Sequence, residues 1–296
     1  MVTDTTPLPW RVRRPRDTRG FLSPAVRREI AEHAVDPSTL AGTGAGGRVT
    51  RDDVRRAAAS GSTRVALNRV QQRAGAALLA SKHTAAHAYS VVLADYTALD
   101  TVRRGERERW RAEEGFGLTY LPFVARAAVD ALRAFPSLNA TVADDELVLH
   151  RDVNLGIAVD LANQGLVVPV VRDAGSLRLR GIARRIDDLA QRARAKRIGP
   201  DDLAGGTFTI TNPGASRTWM SFPIINQPQV AILSTDGVAK RVAVDAAEAR
   251  RDRIEIRTCG HLCLAFDERL VEADDAGAFL ARVAELVAAR DWRTEL

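Results

Sequence analysis

Lysine is nearly missing from this 296-residue chain: Lys82, Lys196 and Lys240 are all there is, so the formal charge of +6 rests almost entirely on arginine. Dispersed arginine of this kind fits a GC-rich coding sequence better than a nucleic-acid face, and no recognition motif accompanies it. Cysteine is as scarce. Cys259 and Cys263, four apart in an apolar run, cannot staple a secreted fold of this size; they point to a reducing cytoplasm and suggest no metal site. No window reaches the roughly 18 consecutive apolar residues that a membrane span needs. The opening Met1-Val2-Thr3-Asp4 has no apolar core of a secretory leader. The expectation is a soluble, unprocessed, cytoplasmic protein with no membrane or nucleic-acid partner.

What is present is a hydrophobic fraction of 46%, enough for one large domain and a small companion. Residues 1 to 19, rich in Pro, Arg and Thr, carry too little apolar surface to offset the entropy of ordering and read as a disordered arm. From residue 20 to 58 the pattern is two short helices around a loop. Ser23-Pro24 offers an N-cap followed by proline at the first helical position, with Val26, Ile30 and Ala34 on one face. Thr50-Arg51-Asp52-Asp53 has the spacing of a capping box. Between them, Gly42-Thr43-Gly44-Ala45-Gly46-Gly47 fits the dinucleotide pattern G-x-G-x-x-G, but no buried strand precedes it and only a short helix follows, so cofactor binding is rejected.

Residues 59 to 63, including Gly61-Ser62-Thr63, read as a linker, and 64 to 296 as one domain of mixed helix and strand pattern without internal repeats. Helices are expected over 121–134, ended by Phe135-Pro136, and over 182–198, ended by Gly199-Pro200. Strands are expected over 153–161 and 166–171, flanking the turn Ala162-Asn163-Gln164-Gly165, and over 207–211, 230–233 and 262–266.

Two groups of motifs carry a resemblance. Ser23-Pro24-Ala25-Val26-Arg27-Arg28, Gly42-Thr43-Gly44 and Gly47-Arg48-Val49-Thr50-Arg51-Asp52-Asp53-Val54 resemble the peripheral subunit-binding domain of dihydrolipoamide acyltransferases, the acyl-transferring components of 2-oxoacid dehydrogenase complexes. By that resemblance Arg27, Arg28, Arg48 and Arg51 are candidates for docking an acidic partner surface; the alternative is solvated helix-end arginines. Ser81-Lys82-His83-Thr84-Ala85-Ala86-His87 resembles the catalytic domain's S-K-x-T-x-P-H segment, and 163–174 its substrate-channel hairpin. Residues 206–212 and 224–233 complete the pattern. The resemblance implies an α/β fold: a two-layer chloramphenicol-acetyltransferase-like domain with a mixed sheet, preceded by a small all-α subunit-binding domain. It also implies a trimer, or a higher assembly built from trimers, with a channel between subunits that coenzyme A enters from one end and the acyl acceptor from the other. Asn212, Asn226, Val168 and Pro169 fall in the channel motifs and are the candidate coenzyme A contacts.

Moving an acyl group requires a base for the incoming thiol or hydroxyl and a donor for the oxyanion. The family's donor, a serine or threonine of its T-I-S/T strand, corresponds to Thr211. Its base is the histidine of D-H-R-x-x-D-G, and here that segment reads Asp267-Glu268-Arg269-Leu270-Val271-Glu272-Ala273. Glu268 therefore stands in the base position and Glu272 keeps the charge of the family aspartate, while Gln71 stands where an arginine is usual. A glutamate, with an ordinary pKa of about 4.3, becomes a useful base only where burial raises it toward ~6 to 7. His261, seven residues before Glu268, would lie on the opposite face of an extended strand. His83, His87 and His150 are the remaining bases to consider.

No lipoyl domain is expected ahead of the docking module, so the chain carries no covalent lipoyl group and an acceptor must arrive as a small molecule or on a carrier protein. Together these readings point to an acyl-CoA-dependent acyltransferase that acylates a hydroxyl-bearing metabolite, for instance a tetronate in natural-product biosynthesis. The alternative is a catalytically silent scaffold that docks partner subunits.

Overall fold

The structure, a computed structural model, describes residues 22–59, 66–144, 146–162, 164–213, 218–245 and 253–296. The expected arm at 1–19, the linker residues Gly61-Ser62-Thr63 and Asn163 of the expected turn lie outside the described residues. Between Asn68 and Arg69 the chain divides into two compact units.

The first unit holds two nine-residue helices, α1 (Pro24–Glu32) and α2 (Arg51–Ala59). Ser23 caps α1, its Oγ accepting from the Val26 N–H at 3.3 Å, with Pro24 at the first helical position. The expected capping box of α2 forms in both directions: the Asp53 N–H donates to Thr50 Oγ1 at 3.3 Å, and the Thr50 N–H donates to Asp53 Oδ2 at 2.8 Å. Asp53 does more than cap. It also accepts from the Thr43 N–H at 3.0 Å and the Thr43 hydroxyl at 2.7 Å, so one 5%-exposed carboxylate ties the loop to the helix. The backbone N–H groups of Thr50 and Thr43, then the Thr43 hydroxyl, hold its carboxyl well below the usual carboxylate range. The glycines of the rejected fingerprint have structural work: Gly46 and Gly47 sit at φ of 69° and 77°, and a Cβ on Gly42 would lie 2.2 Å from the Gly47 carbonyl oxygen. Val26, Leu40 and Val54 form the small core.

In the second unit α3 (Arg69–Thr84), β1 (His87–Asp95), α4 (Thr97–Glu114) and α5 (Leu121–Leu132) come first. Short strands follow: β2 (Ala140–Ala143), β3 (Glu146–Leu149), β4 (Leu155–Ile157), β5 (Val159–Asp160), β6 (Leu166–Val167) and β7 (Val170–Val171). Then come α6 (Leu179–Arg194), α7 (Pro200–Leu203), β8 (Phe208–Thr211), β9 (Ala231–Thr235), β10 (Ala239–Asp245), β11 (Arg253–Asp267) and α8 (Ala273–Ala289). The main sheet runs β1-β11-β9-β8-β4-β7, with β10 paired to the first half of β11. It is mixed, because β8 runs parallel to both β4 and β9 while the other pairs are antiparallel. The expected two-layer architecture is what forms. One sheet face is dry: Leu262, Leu264 and Phe266 of β11, Leu233 of β9 and Phe208 of β8 are buried in one core with α8. That helix presents Ala276, Phe279, Leu280, Val283 and Val287, a 3.6-residue stripe, and Phe279 meets the Phe208 ring edge-on at 5.8 Å.

Several expected boundaries shift for identifiable reasons. The strand expected over 153–161 is two strands, since the Ala158 N–H crosses to the Ile210 carbonyl and Pro169 has no N–H to continue the facing ladder. Helix α6 begins at Leu179, and Gly199-Pro200 starts α7 rather than merely ending α6. Strand β11 spans 15 residues instead of five, and its outer half pairs with β10 as a ribbon with Val242, Val244, Ile254 and Ile256 60–79% exposed. Among the described residues no helix is long and apolar enough to cross a membrane.

Asp53→Ala should unfold the first unit at neutral pH, because it strands several donors in a unit too small to absorb the loss. Hydrogen exchange on the whole chain checks this: amides of 22–59 should lose protection while those after Arg69 keep it. In the wild type the depressed carboxyl contributes stability above the ordinary carboxylate value of about 4 and loses it as pH falls toward its folded value, so acid unfolding of this unit should begin below pH ~4.

Candidate functional site

Side chains alternate along a strand, so the residues between the core positions fill the second sheet face. On β8 these are Thr209 and Thr211; on β9, Ile232 and Ser234; on β11, Cys263 and Ala265. Register sets Thr211 beside Ser234 and Ser234 beside Cys263, in one row. Burial, and then the negative charge of Asp236, push the Cys263 thiol up to about 11, so it stays protonated. Thr211 itself is half-buried at the last position of β8.

At the other end of this face lies a polar scaffold. Thr209 is fully buried and donates its hydroxyl to Gln229 Oε1 at 2.6 Å, and Asn226 Nδ2 donates to Thr209 Oγ1 at 3.3 Å. Thr207 donates to Asn139 Oδ1 at 2.7 Å, and Asn139 Nδ2 donates to the His150 and Asp152 carbonyls. Gly156 is obligatory beside this network, since a Cβ there would lie 2.8 Å from both Thr209 Oγ1 and Val168 Cγ1. A cleft of about 270 Å³ opens over it, lined by Val168, Val170, Leu203–Gly206 and Asn226–Gln229. Two of the four candidate coenzyme A contacts, Val168 and Asn226, therefore share one cleft. Pro169 adjoins them, accepting from the Ile157 N–H at 2.8 Å through its carbonyl, whereas Asn212 is exposed beyond the end of β8.

The segment in the base position forms a tight corner after β11. Asp267 is 2% exposed; it accepts from the Ala86 N–H at 3.2 Å and holds Arg269 through two contacts, Nε at 2.9 Å and Nη2 at 2.6 Å. Burial works against its charge, but the Arg269 hydrogen bonds and charge outweigh that and hold the carboxyl below its usual range. Arg269 is thus committed to Asp267 rather than to Glu268. The Glu268 N–H donates to the Ala86 carbonyl at 3.0 Å, and its side chain is exposed in the protomer. Glu268 lies past the strand, so strand alternation does not relate it to His261. Glu272 is the exposed N-cap residue of α8 and makes no side-chain cap bond.

Thr211 and Glu268 do not meet within one protomer. Thr211 is level with Cys263, and Glu268 comes five residues after Cys263, just past the end of β11, about 16 Å away at ~3.3 Å per residue. The remaining histidines are also accounted for. His87 Nδ1 faces the Ala85 carbonyl at 3.1 Å and its Nε2 accepts from the Ile225 N–H at 3.1 Å, which fixes a neutral ring with both nitrogens occupied. Burial depresses its pKa, the Ala85 hydrogen bond opposing. His150 Nε2 sits 2.8 Å from Thr141 Oγ1, and His261 Nδ1 is 3.0 Å from the Trp219 carbonyl; His83 is exposed on α3. The four candidate docking arginines are all exposed: Arg27 and Arg28 lie in the middle of α1, Arg48 in the loop, and Arg51 at the start of α2.

Sequence reasoning missed a cluster beside Thr211. Ser221, Ser234 and Asp236 are joined by side-chain hydrogen bonds, with Ser221 Oγ donating to Asp236 Oδ1 at 2.6 Å. No motif carries it, because Ser221 comes from a loop 15 residues before Asp236.

Comparison with known proteins bears on this geometry. A family model described as 2-oxoacid dehydrogenases acyltransferase (catalytic domain) matches residues 59–292, and one described as e3 binding domain matches 20–55. The lipoamide acyltransferase component of the branched-chain alpha-keto acid dehydrogenase complex of Bacillus subtilis is 31% identical across 93% of this chain and 72% of its own length. The dihydrolipoyllysine-residue acetyltransferase component of the pyruvate dehydrogenase complex of Mycobacterium tuberculosis is 34% identical across 88% of this chain, which spans 53% of that relative's length. Among solved structures, a probable dihydrolipoamide acetyltransferase from Listeria monocytogenes superposes with a TM-score of 0.73 at 34% identity, covering 78% of this chain and 98% of that one.

The locked His87 generates a pH test. Its folded pKa lies below the ordinary value of about 6.5, so the unfolded chain takes up a proton first and stability falls as pH drops below ~6.5. Melting temperature followed from pH 7.5 to 5 should show this fall, flattened in His87→Gln; an equal slope in both proteins would exclude the lock.

Proposed function

Since the chain belongs to the acyltransferase family of the 2-oxoacid dehydrogenases, we propose that it moves an acyl group from coenzyme A to a hydroxyl acceptor, at a site completed by two copies of the chain. The observation that carries this reading is the separation of Thr211, at the end of β8, from Glu268, past the end of β11. Acyl transfer needs oxyanion donor and base around a single carbonyl, so the two can cooperate only when a second copy brings its Glu268 end to the first copy's Thr211. A closed trimer satisfies this head-to-tail relation three times over. The exposed apolar ribbon of Val242, Val244, Ile254 and Ile256 supplies surface that such an assembly would cover.

In this reading coenzyme A enters along the cleft at Val168 and Asn226, flanked by Pro169, with Asn212 next to the reacting thioester. The Thr211 hydroxyl donates to the oxyanion as the acceptor oxygen attacks. Glu268 of the neighbouring copy takes the acceptor's proton, and closure of the interface over its exposed side chain removes water from it. Glu272 contributes negative charge at the same corner. The E3-binding unit docks a partner through Arg27, Arg28, Arg48 and Arg51, and the acceptor comes as a free metabolite, such as a tetronate, or on a carrier protein. An uncovered Glu268 suits the second reading, a silent scaffold, which predicts that substitutions at these positions leave its role untouched.

With acetyl-CoA as donor, Thr211→Ala should lower kcat by roughly 100 to 1000-fold, the usual share of one oxyanion donor. Glu268→Gln should lose roughly 100-fold or more, the usual share of a general base. Because each site takes one residue from each copy, equal co-expression of the two inactive variants should restore about a quarter of wild-type activity through mixed trimers. Separately purified and unexchanged variants should stay inactive. Full activity of either single variant, or no complementation by mixed assemblies confirmed by native mass spectrometry, would sink the shared site.

A further inference from the structure

The cluster beside Thr211 has features of a recognition point. Asp236 is 2% exposed, and among the described residues no arginine or lysine forms an ion pair with it. Its oxygens are satisfied instead by Ser221, whose hydroxyl donates to Oδ1 at 2.6 Å and whose backbone N–H donates to Oδ2 at 3.2 Å. Ser234, fully buried, adds its Oγ 2.7 Å from Ser221 Oγ and 3.4 Å from Asp236 Oδ1. Burying a carboxylate this way is costly, so it calls for a reason.

Hydrogen-bond direction supplies one. An ionised carboxylate only accepts, so the Ser221 hydroxyl hydrogen is committed to Asp236 and its oxygen lone pairs point elsewhere. Ser234 reaches one of them. The other is left on a half-buried side chain that is tied to Ser234, whose own side chain shares the sheet face of Thr211. Ser221 is therefore a fixed acceptor and not a freely rotating hydroxyl. Its loop is pinned as well: the Gly237 N–H donates to the Thr218 carbonyl at 2.8 Å, His261 holds the Trp219 carbonyl, and the Arg241 guanidinium stacks 3.4 Å over the Trp219 ring. Thr211 is the register partner of Ser234 on the neighbouring strand, about 4.8 Å away, so Ser221 stands one side chain beyond the oxyanion donor.

We propose that Ser221, oriented by Asp236, recognises a second hydroxyl on the acyl acceptor, so that the preferred acceptor class is a diol rather than a simple alcohol. This rests on the acyl-transfer reading and narrows its substrate. The reacting hydroxyl of the diol loses its proton to Glu268 of the neighbouring copy while its oxygen bonds to the thioester carbon. The C–S bond then breaks and the proton passes to the coenzyme A thiolate. The other hydroxyl donates to Ser221 Oγ throughout and is not consumed. Ser221 acts on specificity, and Asp236 is a positioning residue.

The test uses the full chain, acetyl-CoA as donor, and two acceptors that keep the carbon skeleton of dihydrolipoamide: 6,8-dihydroxyoctanamide and 8-hydroxyoctanamide, which lacks the second hydroxyl. The wild type should favour the diol by roughly 10-fold in kcat/KM, the share of about one hydrogen bond between neutral groups. Ser221→Ala should erase that preference, bringing kcat/KM for the diol down to that for the monohydroxy compound, while Ser221→Thr, which keeps the hydroxyl, should preserve it. Asp236→Asn should shrink it, because the amide can donate to Ser221 and turn its hydrogen outward. A purely structural role would lower both acceptors together, and that result, or a preference surviving in Ser221→Ala, overturns the proposal. Wild-type turnover of dihydrolipoamide but of neither hydroxyl compound overturns it alone; no turnover of any of the three overturns the acyl-transfer reading with it.

Discussion

Everything in the second unit depends on the two-residue alternation of side chains along β11 and its neighbours. Leu262, Leu264 and Phe266 point into the core under α8, which obliges Cys263 and Ala265 to point the other way, onto the face shared with Thr209, Thr211 and Ser234. A slip of one residue would exchange the two sets, burying hydroxyls against Phe279 and exposing three large apolar side chains. Packing of the dry face therefore holds the register of the polar one. The energy that fixes Thr211 comes mainly from the opposite face of the sheet.

The corner after β11 shows the same separation of labour. Asp267 is bound on one side by the Ala86 N–H and on the other by Arg269, so the chain turns there with little freedom and Glu268 is presented outward. The buried acid does the holding and the exposed acid is left facing outward. The N-terminal unit uses a carboxylate in a related manner, with Asp53 gathering four donors from Thr43 and Thr50.

What could be read from the sequence was local. Ser23-Pro24 and Thr50 to Asp53 announce helix starts because cap and capped group lie within three residues. The motif patches around Thr211 and 224–233 located the strands of the reactive face for the same reason, each being one continuous run. The hairpin after Val153 was legible as a hairpin but not as a broken one, since the break depends on Ala158 bonding to Ile210, a residue 52 positions away. The outer half of β11, Arg253 to Thr258, alternates charged and β-branched residues, a strand signal carried by the sequence itself. Ser221 and Asp236 could not have been found by pattern: nothing in a loop serine or a turn aspartate marks the other as its partner. The occupied nitrogens of His87 were equally hidden, one of them depending on the Ile225 amide 138 residues later.

The β10–β11 ribbon has a consequence for how the protein must be made. Val242 and Ile256 face each other across the pair, as do Val244 and Ile254, giving a sticky two-stranded surface on every newly released copy. While it stays uncovered, each copy is open to clumping with any other exposed strand in the cell. Crowded synthesis on neighbouring ribosomes would favour like meeting like, whereas slow, dilute production would prolong the vulnerable interval. Tolerance of overexpression and temperature would thus depend on four β-branched side chains at the opposite end of β11 from Asp267.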